Sequence, residues 1–261
     1  AWLCDQFDCP ISLRHGSPDP RQLVETAVCA GITDIEGGAI SYVLPYSVKS
    51  GLIEAFSAVR DNPDVRAFLL RSGGDHFSAG ADLSEFGSAS SISEARRIRW
   101  ERDPWLPLLS LPVPTMASLR GYAMGSGLEM ALLCDLRIAA TDTVMGLPET
   151  KLGMLPAAGG TQSLSQVIGH DKALPLILTG SEIHAADALN LGLITNLVEP
   201  AELENVAGAT ADQLARIDPS VASRLRRCMA ASRDLPLEIG LELERRLARS
   251  VSYTHLTLPT K

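Results

Sequence analysis

An α/β fold with a helical C-terminal region is predicted by three observations. Helix-spaced and strand-like apolar runs alternate between residues 52 and 147, with glycine or proline between them. Short continuous apolar runs such as residues 65–70 suit buried strands, and beyond the Gly159-Gly160 pair the pattern becomes mostly helical. With 261 residues, 46% of them hydrophobic, the chain can bury a substantial core, as one large domain or one domain with an appendage.

The elements follow in order. Residues 52–59 place Leu52, Ile53, Phe56 and Val59 at helical spacing, and Asp61-Asn62-Pro63 ends the helix. Residues 65–70 read as a buried strand, and the polar, Arg-rich residues 91–102 as a helix. Residues 113–119 form the next strand beside the breakers Pro112 and Pro114, with 121–127 as the turn out of it. A buried helix is expected over 128–134, a strand over 136–139, and a short strand over 144–147 before Pro148. Further helices are predicted over 163–167, 172–178, 185–191, 201–216 and 220–231, a helical third that packs on the sheet or on a neighbouring subunit.

Composition excludes several function classes. The net charge of −8 and pI of about 5.2 argue against a nucleic-acid partner, and no basic run suggests a local exception. The longest apolar stretches are broken by Pro112, Pro114, Arg120 or Asp135, short of a bilayer span, so no membrane partner is expected. Asp5 and Asp8 stand where a signal peptide would be apolar, which favours a cytoplasmic location. The cysteines Cys4, Cys9, Cys29, Cys134 and Cys228 are odd in number and lack a Cys-x-x-Cys pair; Cys134 reads as core filler. The histidines are scattered without helical i, i+4 spacing, so no metal site is expected.

The residues that carry chemistry are Glu129, in Gly125-Ser126-Gly127-Leu128-Glu129, and Glu149, in Gly146-Leu147-Pro148-Glu149. Paired carboxylates can move one proton onto a substrate while taking another from water. A glutamate in the first turn of a helix is also favoured by the helix dipole without catalytic duty. The third element, Phe77-Ser78-Ala79-Gly80-Ala81-Asp82-Leu83, follows a strand and a turn, and its small residues let backbone amides approach a ligand closely.

These motifs, in this order and spacing, make residues 48–250 resemble the crotonase superfamily of enoyl-CoA hydratases and isomerases. The match continues through Leu152-Gly153-Met154-Leu155-Pro156-Ala157-Ala158-Gly159-Gly160-Thr161-Gln162. Leu178-Thr179-Gly180, Ala185-Ala186-Asp187-Ala188 and Gly192-Leu193-Ile194 add a fourth, structural match. The resemblance implies a crotonase-like spiral of β-β-α units with a helical C-terminal region. It also implies an oxyanion hole made by the backbone N–H groups of Ala81 and Ser126, which would stabilise the enolate of a bound thioester. Ser126 stands where the family often has glycine, a change the backbone role tolerates. Glu129 and Glu149 match the glutamates that add water across an enoyl-CoA double bond, Glu149 exchanging a proton with the α-carbon and Glu129 acting on the water. Retention of both tilts the reading toward hydration over isomerisation. Leu128, Met130, Leu147 and Leu155 are the expected apolar walls that would let one glutamate hold a proton. Ala79 and Asp82 are substrate-binding candidates beside the oxyanion site. Coenzyme A belongs to the acyl-CoA substrate, so no separate cofactor is implied, and relatives assemble as trimers or hexamers through the helical C-terminal region.

The ends read differently. Arg14-His15-Gly16-Ser17-Pro18-Asp19 and Glu36-Gly37-Gly38-Ala39-Ile40-Ser41-Tyr42-Val43-Leu44-Pro45-Tyr46 resemble a slice of the catalytic barrel subunit of glutamate (methylaspartate) mutase, whose substrate contacts match Arg14, Glu36 and Tyr46. So short a slice cannot close a barrel, and neither glutamate nor cobalamin binding is expected. Residues 1–47 therefore read as a foreign or vestigial segment, without the pair of strands that opens a crotonase. Residues 48–196 read as the α/β core, 197–250 as the helical region, and 251–261 as a non-native tail without helical spacing. A chain of this kind without an initiating Met reads as a fragment or chimera. The leading expectation is an enoyl-CoA hydratase-like lyase. The alternatives are a chimeric acyl-CoA-binding domain without turnover, an enoyl-CoA isomerase, and a glutamate mutase fragment.

Overall fold

The computed structural model describes residues 22–27, 32–33, 40–41, 43–44, 46–83, 89–93 and 103–255. Its main sheet is five-stranded and wholly parallel, in the order β1 (Gln22–Ala27), β5 (Val65–Arg71), β7 (Thr115–Leu119), β9 (Leu136–Ala140), β12 (Asn196–Val198). A parallel sheet needs both faces covered, and β5 shows how the sequence meets that need. Successive side chains point to opposite faces. Phe68 and Leu70 join a core with Leu52, Phe56 and Val59 of helix α1 (Tyr46–Asp61). Leu69 points the other way, into a second core with Met116, Ile138, Leu203, Ala207 and Ala211; the last three belong to the C-terminal-side helix Leu203–Ala215. The rings of Phe56 and Phe68 meet edge to face at 5.5 Å, the favoured aromatic geometry.

Short strands lie outside this sheet: β2 (Ile32–Thr33) antiparallel to β3 (Ile40–Ser41), and β4 (Val43–Leu44) parallel to β6 (Gly80–Ala81). A second sheet has the order β11 (Glu182–His184), β10 (Val144–Gly146), β8 (Tyr122–Met124). Two large-sheet strands, β7 and β9, are each followed by a strand of the small sheet and then a helical segment. β7 and β8 lead to helix Ser126–Leu133, and β9 and β10 lead to a 3-10 turn, Pro148–Leu152, then helix Gly160–Ile168. This is the spiral of β-β-α units that the sequence predicts. Numbering helices in chain order, α2 is Trp105–Leu109, α3 Ser126–Leu133, α4 Gly160–Ile168, α5 His170–Thr179, α6 Ala185–Leu191, α7 Leu203–Ala215, α8 Pro219–Asp234 and α9 Leu237–His255.

Helix α3 is fixed at its C-terminal end by a buried cation. Arg137, 6% exposed, donates from Nε to the Leu193 carbonyl (2.6 Å) and from one terminal nitrogen to the carbonyls of Cys134 (2.6 Å) and Ala131 (3.4 Å). Those last carbonyls are the negative end of the helix dipole, where a guanidinium is favoured. Burial lowers the Arg137 pKa from its ordinary value. Burial also pushes the Cys134 thiol up to about 12, which leaves it inert core filler at neutral pH. Helix α8 is capped by Asp218, whose Oδ1 accepts from the amides of Ser220 (2.9 Å) and Val221 (3.2 Å). Arg226 ties α8 to the sheet. Its Nε lies 2.7 Å from Asp135 Oδ2 as an ion pair whose N–H is not aimed for a hydrogen bond, and its terminal nitrogen donates to the Leu111 carbonyl.

Several expectations change. Residues 121–127 are not simply a turn: β8 occupies 122–124, and α3 starts two residues earlier than residue 128. Strands do precede residue 48, and β1 extends the main sheet in parallel register with β5, so the expected absence of opening strands is corrected. Apolar residues Leu23, Val24 and Ala27 in β1 were the overlooked signal. Strand β12 straddles residue 197, and α9 continues to His255; the tail expected from residue 251 thus begins within a helix. Of the helix expected over 91–102, residues 94–102 lie outside the described residues, as do Arg14, Glu36 and 256–261. Among the described residues no helix is long and apolar enough to cross a membrane.

Because Phe68 fills the core between α1 and the sheet, Phe68→Ala should lower unfolding free energy by about 3–5 kcal/mol. Urea denaturation checks this as a lower midpoint at unchanged slope.

Candidate functional site

The site is built around the first turn of α3. β8 delivers the chain to Gly125, whose φ of 51° and ψ of −127° reverse it sharply into the helix, a conformation suited to glycine. The Gly125 amide is held by the Gly146 carbonyl (2.9 Å), and its own carbonyl accepts from Glu129 N (2.9 Å). The first N–H groups of a helix have no carbonyl within it, so this turn presents donors and the positive end of the dipole. Ser126 is its first residue.

The segment of residues 78–81 runs alongside. Ser78 N donates to the Tyr122 carbonyl (2.9 Å) and Met124 N to the Ser78 carbonyl (2.8 Å). A Cβ on Gly127 would stand 2.4 Å from Ser78 Cβ, so only glycine allows this approach. Gly80 is less crowded but has φ of +101°: its Cβ would lie 3.2 Å from the Met124 carbonyl oxygen and 3.7 Å from Gly125 Cα. The predicted oxyanion pair, Ala81 and Ser126, therefore sits on two segments whose adjacent glycines touch. Ala79 is exposed beside them, and Asp82 half-buried.

The two glutamates approach this turn in different ways. Glu149 lies in the turn Pro148–Leu152, and its Oε1 is 2.9 Å from where a Cβ on Gly125 would be. The carboxyl group thus rests on the Gly125 backbone. Its Oε2 is buried without a hydrogen-bond partner. Burial raises the Glu149 pKa above the ordinary carboxylate value, opposed in part by its own backbone amide. Glu129, 2% exposed, stands one turn along α3 from Ser126, on the same face. Its Oε1 accepts from the amides of Ala158 (2.9 Å) and Gly160 (2.8 Å), a pair that fixes its orientation. A Cβ on Gly160 would fall 2.8 Å from that oxygen.

Leu128, Met130 and Leu147 are buried, as expected of apolar walls, but Leu155 is 71% exposed. It is not a wall: the 3-10 turn ends at Gly153, and the following segment carries Leu155 outward while turning its later amides in to Glu129. Sequence reasoning missed Ser78 and the amides of Ala158 and Gly160; the Gly159-Gly160 pair was the available signal for the latter. Two surface clefts, one lined by Ser220, Arg224 and Leu247 and one by His76, Arg120 and Asp142, contain none of the site residues. Among the described residues no cluster of three or more His, Cys, Asp or Glu is placed to hold a metal ion.

Two stability measurements check this geometry. Gly160→Ala should destabilise by about 1–3 kcal/mol, read by urea denaturation, because the new methyl displaces Glu129 or the 156–160 backbone. Glu149→Gln tests the raised pKa. A carboxyl whose folded pKa lies above its unfolded one contributes most stability when protonated, and loses that contribution as pH rises through the folded pKa. Glu149→Gln should therefore raise Tm above wild type at pH 7–8, and the advantage should vanish as pH falls below about 4, the ordinary glutamate range.

Known proteins resemble the chain over most of its length. The Enoyl-CoA hydratase/isomerase family profile matches residues 44–256, and the Methylaspartate mutase E chain profile matches residues 2–62. The chain is 36% identical over 191 residues to (E)-benzylidenesuccinyl-CoA hydratase of Thauera aromatica, covering 73% of this chain and 74% of that protein. It is 34% identical over 232 residues to "Probable enoyl-CoA hydratase echA8" of Mycobacterium tuberculosis, covering 89% and 90%. Among solved structures, enoyl-CoA hydratase from Bacillus anthracis superposes with a TM-score of 0.82 at 28% identity, over 94% of this chain and 91% of that one. Fold and a family match spanning most of the sequence agree, and the chain belongs to the enoyl-CoA hydratase/isomerase family of the crotonase superfamily.

Proposed function

We propose that the chain hydrates a trans-2-enoyl-CoA thioester. The observation that carries this reading is the pairing of unlike carboxyl groups at one helix start: Glu149 with a raised pKa and an unpartnered Oε2, and Glu129 locked as an acceptor by two amides. Two titratable groups whose surroundings differ are the usual basis for dividing acid and base roles. In this scheme the thioester carbonyl accepts hydrogen bonds from the backbone amides of Ala81 and Ser126. Glu129 takes a proton from water, and the oxygen bonds to Cβ. The electron pair of the double bond moves toward the thioester oxygen to give an enolate, and Glu149 delivers its proton to Cα. The net change is H and OH added across Cα=Cβ, with the proton on Glu129 returning to Glu149 through solvent.

Each amide donor aimed at the enolate oxygen is worth about 3 kcal/mol to the transition state. The fixed dipoles at the start of α3 cost no reorganisation as charge develops. Ala79 and Asp82, flanking Ala81, are proposed to line the thioester entrance. Relatives named as hydratases at 34–36% identity support the reaction class.

A second reading, double-bond isomerisation, is favoured by one observation. Two amides already engage Glu129 Oε1, so Glu149 alone could shuttle a proton between Cα and Cγ. A relative 37% identical over 186 residues is named "Enoyl-CoA isomerase/hydratase fer4".

Purified protein with crotonyl-CoA should show loss of the conjugated-enoyl absorbance. Glu149→Gln and Glu129→Gln should each lower kcat by about 10²–10⁴-fold. Gain of conjugation from a trans-3-enoyl-CoA without hydration would transfer the assignment to isomerase. No turnover of either substrate above a Glu129→Gln, Glu149→Gln double variant would leave a CoA-thioester-binding protein.

A further inference from the structure

We propose that the hydroxyl of Ser126, in addition to its backbone amide, donates a hydrogen bond to the thioester oxygen as the enolate forms. The proposal rests on the oxyanion-hole reading above but assigns a new group to it.

Ser126 is only 8% exposed, and its Oγ is buried with no hydrogen-bond partner. Other buried hydroxyls do find acceptors, among them Thr143 Oγ1, which donates to the Leu119 carbonyl (3.1 Å), and Ser163 Oγ, which donates to the Gly159 carbonyl (2.9 Å). An orphaned buried hydroxyl is unfavourable and calls for a specific reason. Ser118 Oγ shares the condition, but it lies inside β7, paired with β5 and β9, and not at a helix start. Ser126 is different in position. It is the first residue of an eight-residue helix, and helical Cα–Cβ bonds tilt toward the N-terminus. Its Cα–Cβ bond therefore leans toward the N-terminal end of α3, the end at which the first-turn N–H groups are left without helical partners.

Capping does not explain the residue. Gly125 holds the N-cap position, and α3 has no side-chain cap hydrogen bond. Nor does the neighbouring carboxyl satisfy it, since Glu149 Oε2 is also without a partner. The missing partner is an acceptor that arrives with the ligand. The atom in reach of both the amide and the hydroxyl of one N-terminal residue is an oxygen gaining negative charge there, because dipole, amide and hydroxyl all favour it. A glycine at this position would offer the amide alone.

The test uses acetoacetyl-CoA, whose enolate absorbs in the near ultraviolet and reports oxyanion stabilisation without turnover. Bound to the wild-type protein it should titrate to the enolate at a pH midpoint below that of the free thioester. Ser126→Ala and Ser126→Gly, with folding checked by circular dichroism, should each raise that midpoint by about one pH unit, a tenfold loss of enolate stabilisation. The same variants should lower kcat for crotonyl-CoA about tenfold with KM within about twofold, the signature of a transition-state contact. An unchanged midpoint in both folded variants overturns the proposal, as does the absence of enolate on saturated wild-type protein. Wild-type enolate formation that responds to Ser126→Ala, without hydration of crotonyl-CoA, sustains this inference while removing the hydratase assignment.

Discussion

The close approach of three backbone segments at the start of α3 is the constraint on which the rest of the site depends. Gly127 allows the helix to lie against Ser78, Gly80 brings its strand to within van der Waals reach of Gly125, and Gly125 leaves room for the carboxyl of Glu149. A Cβ on Gly125 or Gly127 would occupy space another part of the site already fills, and Gly80 holds a backbone conformation that other residues rarely adopt. Reactive groups meet here because side chains are missing, and the sheet exists in part to enforce that meeting. β7 and β9 are parallel neighbours, so the β8 and β10 segments that follow them leave in the same direction and pair in turn.

The two ends of α3 are held by opposite means. Its positive N-terminal end is left open toward the site, whereas its negative end is closed by the buried guanidinium of Arg137. That cation has carbonyl partners on both α3 and Leu193, which locks the helix to the segment entering β12. Such a clamp resists displacement of the helix along its own axis, which would move its first-turn amides away from the segment of residues 78–81. Around it the two cores, one on each face of the sheet, supply the stiffness of close packing.

Much of this was legible in the sequence, for physical reasons that differ by element. Residues 65–70 announce a doubly buried strand because no polar residue interrupts the face-to-face alternation after Arg66. The helices of the C-terminal third follow from apolar spacing, and Glu129 and Glu149 stand out through their glycine-bounded turns. β8 was hidden within a glycine-rich stretch because a three-residue strand has too few side chains to show a period, and its pairing is decided by β10. β1 was obscured by a segment whose local resemblance pointed to another protein. Leu155 misled because an apolar residue next to a motif looks like a wall, while its backbone geometry turns it outward. The amides that hold Glu129 could not be read from residue type at all, since every residue except proline carries one.

That anchoring of Glu129 by main-chain atoms has a consequence for how the family can diversify. The donor at residue 158 is indifferent to the side chain mounted there, so that side chain can change without disturbing the carboxyl group its amide supports. At residue 160 the reverse holds, because the space beside the oxygen is already taken. The chemical grammar of the site is thus kept by its smallest residues and its main chain, and novelty is written in the positions between them.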